Sequence, residues 1–261
     1  MHRLPSSLFS SDASDSFGTE VLDHESGRCI DGCEFFLPSR YTSGYAYPLL
    51  IWLHDDGGNE RQVSQLMPHI STQNFVAVGV RGNAPTDDSG QTFDWDTEDG
   101  AQGLQTQRSI RSAVSEARRR YNVHPERIFI GGHGSGGTMA MRMAFQGFPG
   151  APGTQFAGVV SLGGKCDAVP PAELVSALYP PRKLPMMWAL ATRSESYCPM
   201  EMEHSLRRIA AASVRADIRQ YVCDDELMSH VLADVNRWIM QVVTSENSPA
   251  DTQRQFPFSL N

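Results

Sequence analysis

The stretch Ile128-Phe129-Ile130-Gly131-Gly132-His133-Gly134-Ser135-Gly136-Gly137-Thr138-Met139-Ala140 decides the fold. A short apolar run, of the length of a buried strand, empties into a glycine-rich turn, and helix-forming residues resume near Thr138. Strand, sharp turn and helix follow one another with no spacer. Such a corner demands small residues, because side chains on either side of its apex would collide with the backbone.

Working outward, Ile110, Ala113, Val114, Ala117 and Tyr121 recur at helical spacing before Pro125 and the strand Arg127-Ile128-Phe129-Ile130. Upstream, Leu49-Leu50-Ile51-Trp52-Leu53-His54 and Phe75-Val76-Ala77-Val78-Gly79-Val80 are continuous apolar runs, the pattern of strands buried on both faces, while Glu34-Phe35-Phe36-Leu37-Pro38 reads as an edge strand. Downstream the alternation continues: a helix over 139–145, strands over 158–162 and 186–190, a helix over 202–212 and a strand over 218–221. Leu227, Val231, Val235, Trp238, Ile239 and Val242 line one face of a final helix. Strand–helix–strand order requires crossovers, so the expected class is α/β, a mostly parallel central sheet with helices on both faces. One domain is expected over 20–244, between a loose tail at 1–19 and another at 245–261, both rich in small polar residues.

Of 261 residues, 40% are hydrophobic and 20% charged, enough for a sizeable core. The net charge of −8 disfavours nucleic acid, whose phosphates require a positive surface, and Arg118-Arg119-Arg120 reads as a solvated helix end. No apolar run is long enough to span a membrane, and the Ser- and Asp-rich N-terminus lacks the apolar centre of a signal peptide. Cys29, Cys33, Cys166, Cys198 and Cys223 are odd in number and lack paired spacing, so reduced thiols in a cytoplasm are expected. The glycine turn lacks the Gly-Lys-Ser/Thr ending of a phosphate cradle, and no cofactor is expected.

Two further stretches complete a pattern. Leu53-His54-Asp55-Asp56-Gly57-Gly58-Asn59 resembles the His-Gly-x-Gly-Gly loop that supplies an oxyanion-hole amide in esterases, and Tyr121-Asn122-Val123-His124-Pro125-Glu126-Arg127-Ile128 leads into the glycine turn. With Gly132 to Ala140 matching Gly-x-Ser-x-Gly-Gly-Thr-Met-Ala, the chain resembles the phospholipase/carboxylesterase group of α/β-hydrolases, polyester-depolymerase-like esterases included, over roughly residues 34 to 243. The resemblance implies an α/β-hydrolase fold, a nucleophile elbow at residues 132–137, and ester hydrolysis by serine, acid and histidine.

At the three catalytic positions the resemblance lands on other residues. Gly134 lies under the nucleophile, Ser194 under the acid and Asp225 under the histidine; His54, Asp55 and Asp56 form the oxyanion loop, where two carboxylates would repel a developing oxyanion. A non-catalytic homologue that binds a small ester-like ligand or a protein partner is the expected function. The alternative is an active carboxylesterase or thioesterase with Ser135 as a displaced nucleophile assisted by His133 or His230, although His133 would then fill a corner that favours small residues. Glu195 is a substitute acid only with a shifted loop, and Cys223 or Cys198 offers a thiol nucleophile. Because strand C-terminal ends share one crevice, Asp55, Asp56, Asp224 and Asp225 are a candidate cation cluster. The loop 83–100, carrying Phe93 and Trp95, either lids the cleft or fills it.

Overall fold

The computed structural model describes residues 32–95, 100–146, 155–166, 184–194, 197–211 and 214–245. Glu195, Cys29 and the expected tails lie outside these residues, except Ser245, which closes the last helix.

In chain order the elements are β1 (Cys33–Phe36), β2 (Tyr47–Leu53), α1 (Gln62–Ile70), β3 (Val76–Val80), β4 (Ala84–Pro85), β5 (Phe93–Asp94), α2 (Gly100–Arg120), β6 (Val123–His133) and α3 (Gly134–Gln146). There follow β7 (Gly158–Leu162), β8 (Leu184–Ala191), α4 (Pro199–Ala211), β9 (Val214–Tyr221) and α5 (Ser229–Ser245). The main sheet has seven strands in the order β1-β3-β2-β6-β7-β8-β9, and only β1 runs antiparallel to its neighbour. The mostly parallel α/β sheet expected from the alternation is present.

Alternate residues of the central strands feed two cores, as the pleat requires. On one face Leu49, Ile51, Ile128 and Ile130 pack with Ile110, Ala113 and Ala117 of α2 and Met139, Met143 and Phe145 of α3. On the other, Leu50, Trp52 and Phe129 meet Val63, Leu66 and Met67 of α1 and Val235, Trp238 and Ile239 of α5. Helices therefore cover both faces, and the inner strands are buried throughout.

Several boundaries differ from expectation: α3 starts already at Gly134, and β8 extends over Leu184–Ala191. Helix α1 interrupts a stretch with no helix expected, and Val63, Leu66, Met67 and Ile70 are its buried stripe; Pro68 stands inside it. Strand β6 begins at Val123 and passes through Pro125, at a place where the β2 pairing shifts register between Tyr47 and Leu49 and the ladder makes no demand on a proline N–H. Strand β9 starts at Val214, and α5 starts at Ser229, leaving Leu227 buried just ahead of the helix.

Candidate active site

Strand β2 delivers His54 into the interior, with no exposed surface. Its Nε2 accepts the Gly82 N–H at 2.8 Å, so its proton sits on Nδ1, which donates to the Asp55 carbonyl at 2.7 Å. Burial pushes the His54 pKa down, against the smaller opposing effects of the Asp55 carbonyl and of Glu60, Asp55 and Asp56. A neutral imidazole with both nitrogens engaged is a prop for the following loop, not a proton shuttle. Trp95 completes the support: its indole N–H donates to the His54 carbonyl at 2.7 Å and its ring lies 4.9 Å from the imidazole.

The same segment grips the rest of the loop. Gly57 N–H donates to Asp94 Oδ1 at 2.7 Å, and Phe93 N–H to the Gly58 carbonyl at 2.9 Å. Phe93 and Trp95 are buried, so this part of the 83–100 loop fills space against the loop after β2.

Strand β6 meets α3 at Gly134, whose φ of +52° places the backbone in the left-handed region. Two residues to either side, a Cβ on Gly132 would stand 2.5 Å from the Gly136 carbonyl group, and one on Gly136 would overlap the carbonyl oxygens of Leu53 and His54. Gly134 is thus the apex of the turn, flanked at both second neighbours by positions with no room for a side chain. Ser135 is not the apex: among the described residues positive φ occurs only at glycine.

The space above the apex is occupied by Asp55. A Cβ on Gly134 would overlap Asp55 Oδ1 and Cγ and lie 2.5 Å from Oδ2. Asp55 Oδ1 accepts the Ser135 N–H at 2.9 Å, the Asp56 N–H at 2.9 Å and the Ser135 hydroxyl at 3.3 Å. Its Oδ2 faces His133 Nδ1 at 3.3 Å, and His133 Nε2 contacts the Asp225 carbonyl oxygen at 3.0 Å. One carboxylate therefore joins the β2 loop to the elbow, and His133 joins the elbow to the loop after β9.

Beside this corner lies a cavity of about 600 Å³, in the size range of small-molecule sites. Its walls include Trp188, Leu190, Tyr197, Met202 and Cys166, and both Ser194 and Asp225 reach it. Residues 55, 134 and 135 do not line it. The Trp188 indole N–H is committed to the Gly164 carbonyl at 2.9 Å, which leaves its ring as apolar wall.

The structure brings some expected site residues together and separates others. Asp55, Ser135 and His133 meet at the elbow; Ser194 and Asp225 meet at the cavity. Asp55, Asp56, Asp224 and Asp225 do not form the cation cluster that the strand ends suggested, and among the described residues no group of three or more histidine, cysteine, aspartate or glutamate side chains is arranged to hold a metal ion. The reason is local: the Asp55 carboxylate turns onto the elbow, and Asp225 presents its carbonyl there. His230 packs against Tyr221 with the rings tilted by 56° and their centroids 5.5 Å apart. Cys223 is a poor nucleophile near neutral pH, because burial raises its pKa and Asp224 and Asp225 raise it further. Cys198 lines the cavity with Cys166.

Sequence reasoning placed Asp55 in the oxyanion loop but treated it as a repulsive charge and a candidate cation ligand. A carboxylate in that loop together with a side-chain-free apex was the available signal that one fills the space of the other. The aromatic cavity wall, Trp188 and Tyr197, had no such signal.

No protein-family model matches the sequence, and neither does any curated protein. Solved structures do match. The fold is that of the α/β-hydrolases, shared with carboxylesterases and acyl-protein thioesterases. The Bacillus cereus carboxylesterase superposes with a TM-score of 0.60 at 16% identity, over 80% of this chain and 93% of that one. Arabidopsis thaliana SOBER1 gives 0.59 at 16%, over 76% of this chain and 100% of that one. Zea mays acyl-protein thioesterase 2 gives 0.56 at 14%, over 81% and 98%. No described helix is long and apolar enough to cross a membrane.

Proposed function

We propose that this chain is a non-catalytic α/β-hydrolase homologue that binds a small, largely apolar, ester-like molecule in the cavity between β8 and α4. The observation that carries the reading is the Asp55 carboxylate lying where a side chain on residue 134 would be. Gly134 stands in the nucleophile's place with nothing to attack an acyl carbon, Ser194 and Asp225 stand in the places of acid and histidine, and the carboxylate denies an ester carbonyl access to the corner. A substituted nucleophile alone costs about 10⁶ in turnover in a worked protease series, and the remnant there comes from an open oxyanion hole. Here that remnant is blocked as well.

The displaced-serine alternative gains nothing from the geometry. Ser135 Oγ donates to a carboxylate instead of an imidazole, and its amide is already bound. The thiols of Cys198 and Cys223, which form no disulfide among the described residues, fit a reducing compartment such as the cytoplasm.

The test is turnover of 4-nitrophenyl butyrate. The wild type is expected to match Ser135→Ala and the buffer rate; a wild-type rate well above both would overthrow the reading.

A further inference from the structure

In an α/β-hydrolase elbow, an oxyanion is held by two amides, one from the residue after the nucleophile and one from the loop after the β2-equivalent strand. Here those amides are Ser135 N–H and Asp56 N–H, and both point at one atom, Asp55 Oδ1, each at 2.9 Å. The Ser135 hydroxyl adds a third donor at 3.3 Å, and His133 faces the second carboxylate oxygen at 3.3 Å. Asp55 is not sealed in protein: its side chain is 39% exposed, so the corner opens to solvent.

We propose that the oxyanion hole of this protein is complete and permanently filled by its own chain, with Asp55 as an intramolecular carboxylate ligand, and that removing that side chain uncovers a binding site for a small monocarboxylate. The inference rests on the reading of Gly134 as a vacated apex. It deepens that reading by turning Asp55 from a charge that repels an oxyanion into the group that occupies the hole. Three features support occupancy over chance contact. Donors converge from two separate elements, β2's loop and the start of α3, on a single oxygen. The backbone at Gly134 leaves the volume that the carboxylate needs and that a Cβ would take. The loop bearing Asp55 is propped from behind by neutral His54, Trp95 and Asp94, so donors and acceptor are held in place before any ligand arrives.

The occupant has consequences for the natural ligand. An external acid must displace a carboxylate held at high local concentration, so the wild-type elbow is closed to acetate-sized anions and the ligand reaches the protein through the neighbouring cavity.

The experiment titrates sodium acetate into ¹⁵N-labelled wild type, Asp55→Gly and Asp55→Asn, with sodium chloride at equal ionic strength as control. In Asp55→Gly, the amide resonances of residues 135 and 56 are expected to shift saturably with acetate and not with chloride, and thermal unfolding is expected to rise by about 3–6 °C at saturation. Wild type and Asp55→Asn, whose side-chain oxygen still takes both amides, are expected to show neither response. If Asp55→Gly is unfolded in chloride, recovery of the fold in acetate is the supporting result. An Asp55→Gly protein that folds but shows no acetate-specific movement at 135 and 56, one that stays unfolded at every acetate concentration, or a wild type that responds equally, overturns the proposal. Ester turnover by the wild type sinks the non-catalytic reading without touching this result, so the two failures are separable.

Discussion

The carboxylate of Asp55 and the bare α-carbon of Gly134 are complementary: one fills the volume that the other leaves. Gly134→Ala therefore meets two costs, a left-handed φ of about 1–2 kcal/mol and an overlap with Asp55. Urea unfolding is expected to show a loss of about 2–4 kcal/mol. In the double variant with Asp55→Gly the overlap term disappears, so the two losses are expected to fall short of additivity by at least about 1 kcal/mol. Strict additivity would mean that the two groups do not compete for space.

His54 gives the fold a pH dependence of predictable sign. Its folded pKa lies below the ordinary value of 6.5, chiefly through burial, so below pH 6.5 the unfolded chain binds more protons than the folded one. Stability is complete above pH 6.5 and declines as the pH falls through that value toward the depressed folded pKa, by at most about 1.4 kcal/mol per pH unit. Urea midpoints between pH 5 and 7 are expected to carry this slope in the wild type and to lose part of it in His54→Gln. An identical slope in both would assign the effect elsewhere.

Glu60 and Arg81 anchor the start of α1 to the end of β3. Burial pushes the Glu60 carboxyl up, but hydrogen bonds and charge from Arg81 more than offset it and hold the group below its usual value. Arg81→Met strands a nearly buried carboxylate and removes a cation from the face of Phe93, 4.9 Å from the ring centroid. A loss of about 2–3 kcal/mol is expected by chemical denaturation, below the value for a fully buried pair because Arg81 is one-third exposed. A change under about 0.5 kcal/mol would contradict it.

The cavity is tested by filling it. Cys198 sits on its wall just ahead of α4, and Cys198→Phe adds a ring to the lining of the space that an apolar ligand needs. The wild type is expected to bind 1-anilinonaphthalene-8-sulfonate saturably, with quenching of Trp188, and Cys198→Phe to lose at least tenfold in affinity. Equal affinity in both would place the dye elsewhere.

The sequence carried the sheet because its inner strands are buried on both faces and read as unbroken apolar runs such as Leu49 to Leu53. It carried the elbow because glycines at 132, 134 and 136 mark a corner with no room for side chains. It did not carry α1, whose apolar stripe is cut by Pro68 and begins among polar turn residues, nor the start of β6, where Pro125 suggested a boundary that a register shift removes. At the site, residue identities were legible but orientations were not. A sequence says that Asp55 is in the loop; whether it faces solvent, a cation or the elbow depends on Ser135, Asp56 and His133 converging in space. The candidate cation cluster failed for the same reason.

The most direct measurement is intact-mass analysis after prolonged incubation of the wild-type protein with a fluorophosphonate, followed by mapping of any adduct. The account predicts unmodified protein, because the only group at the apex is a glycine and the hole beside it is filled. An adduct on Ser135, lost in Ser135→Ala, would contradict it.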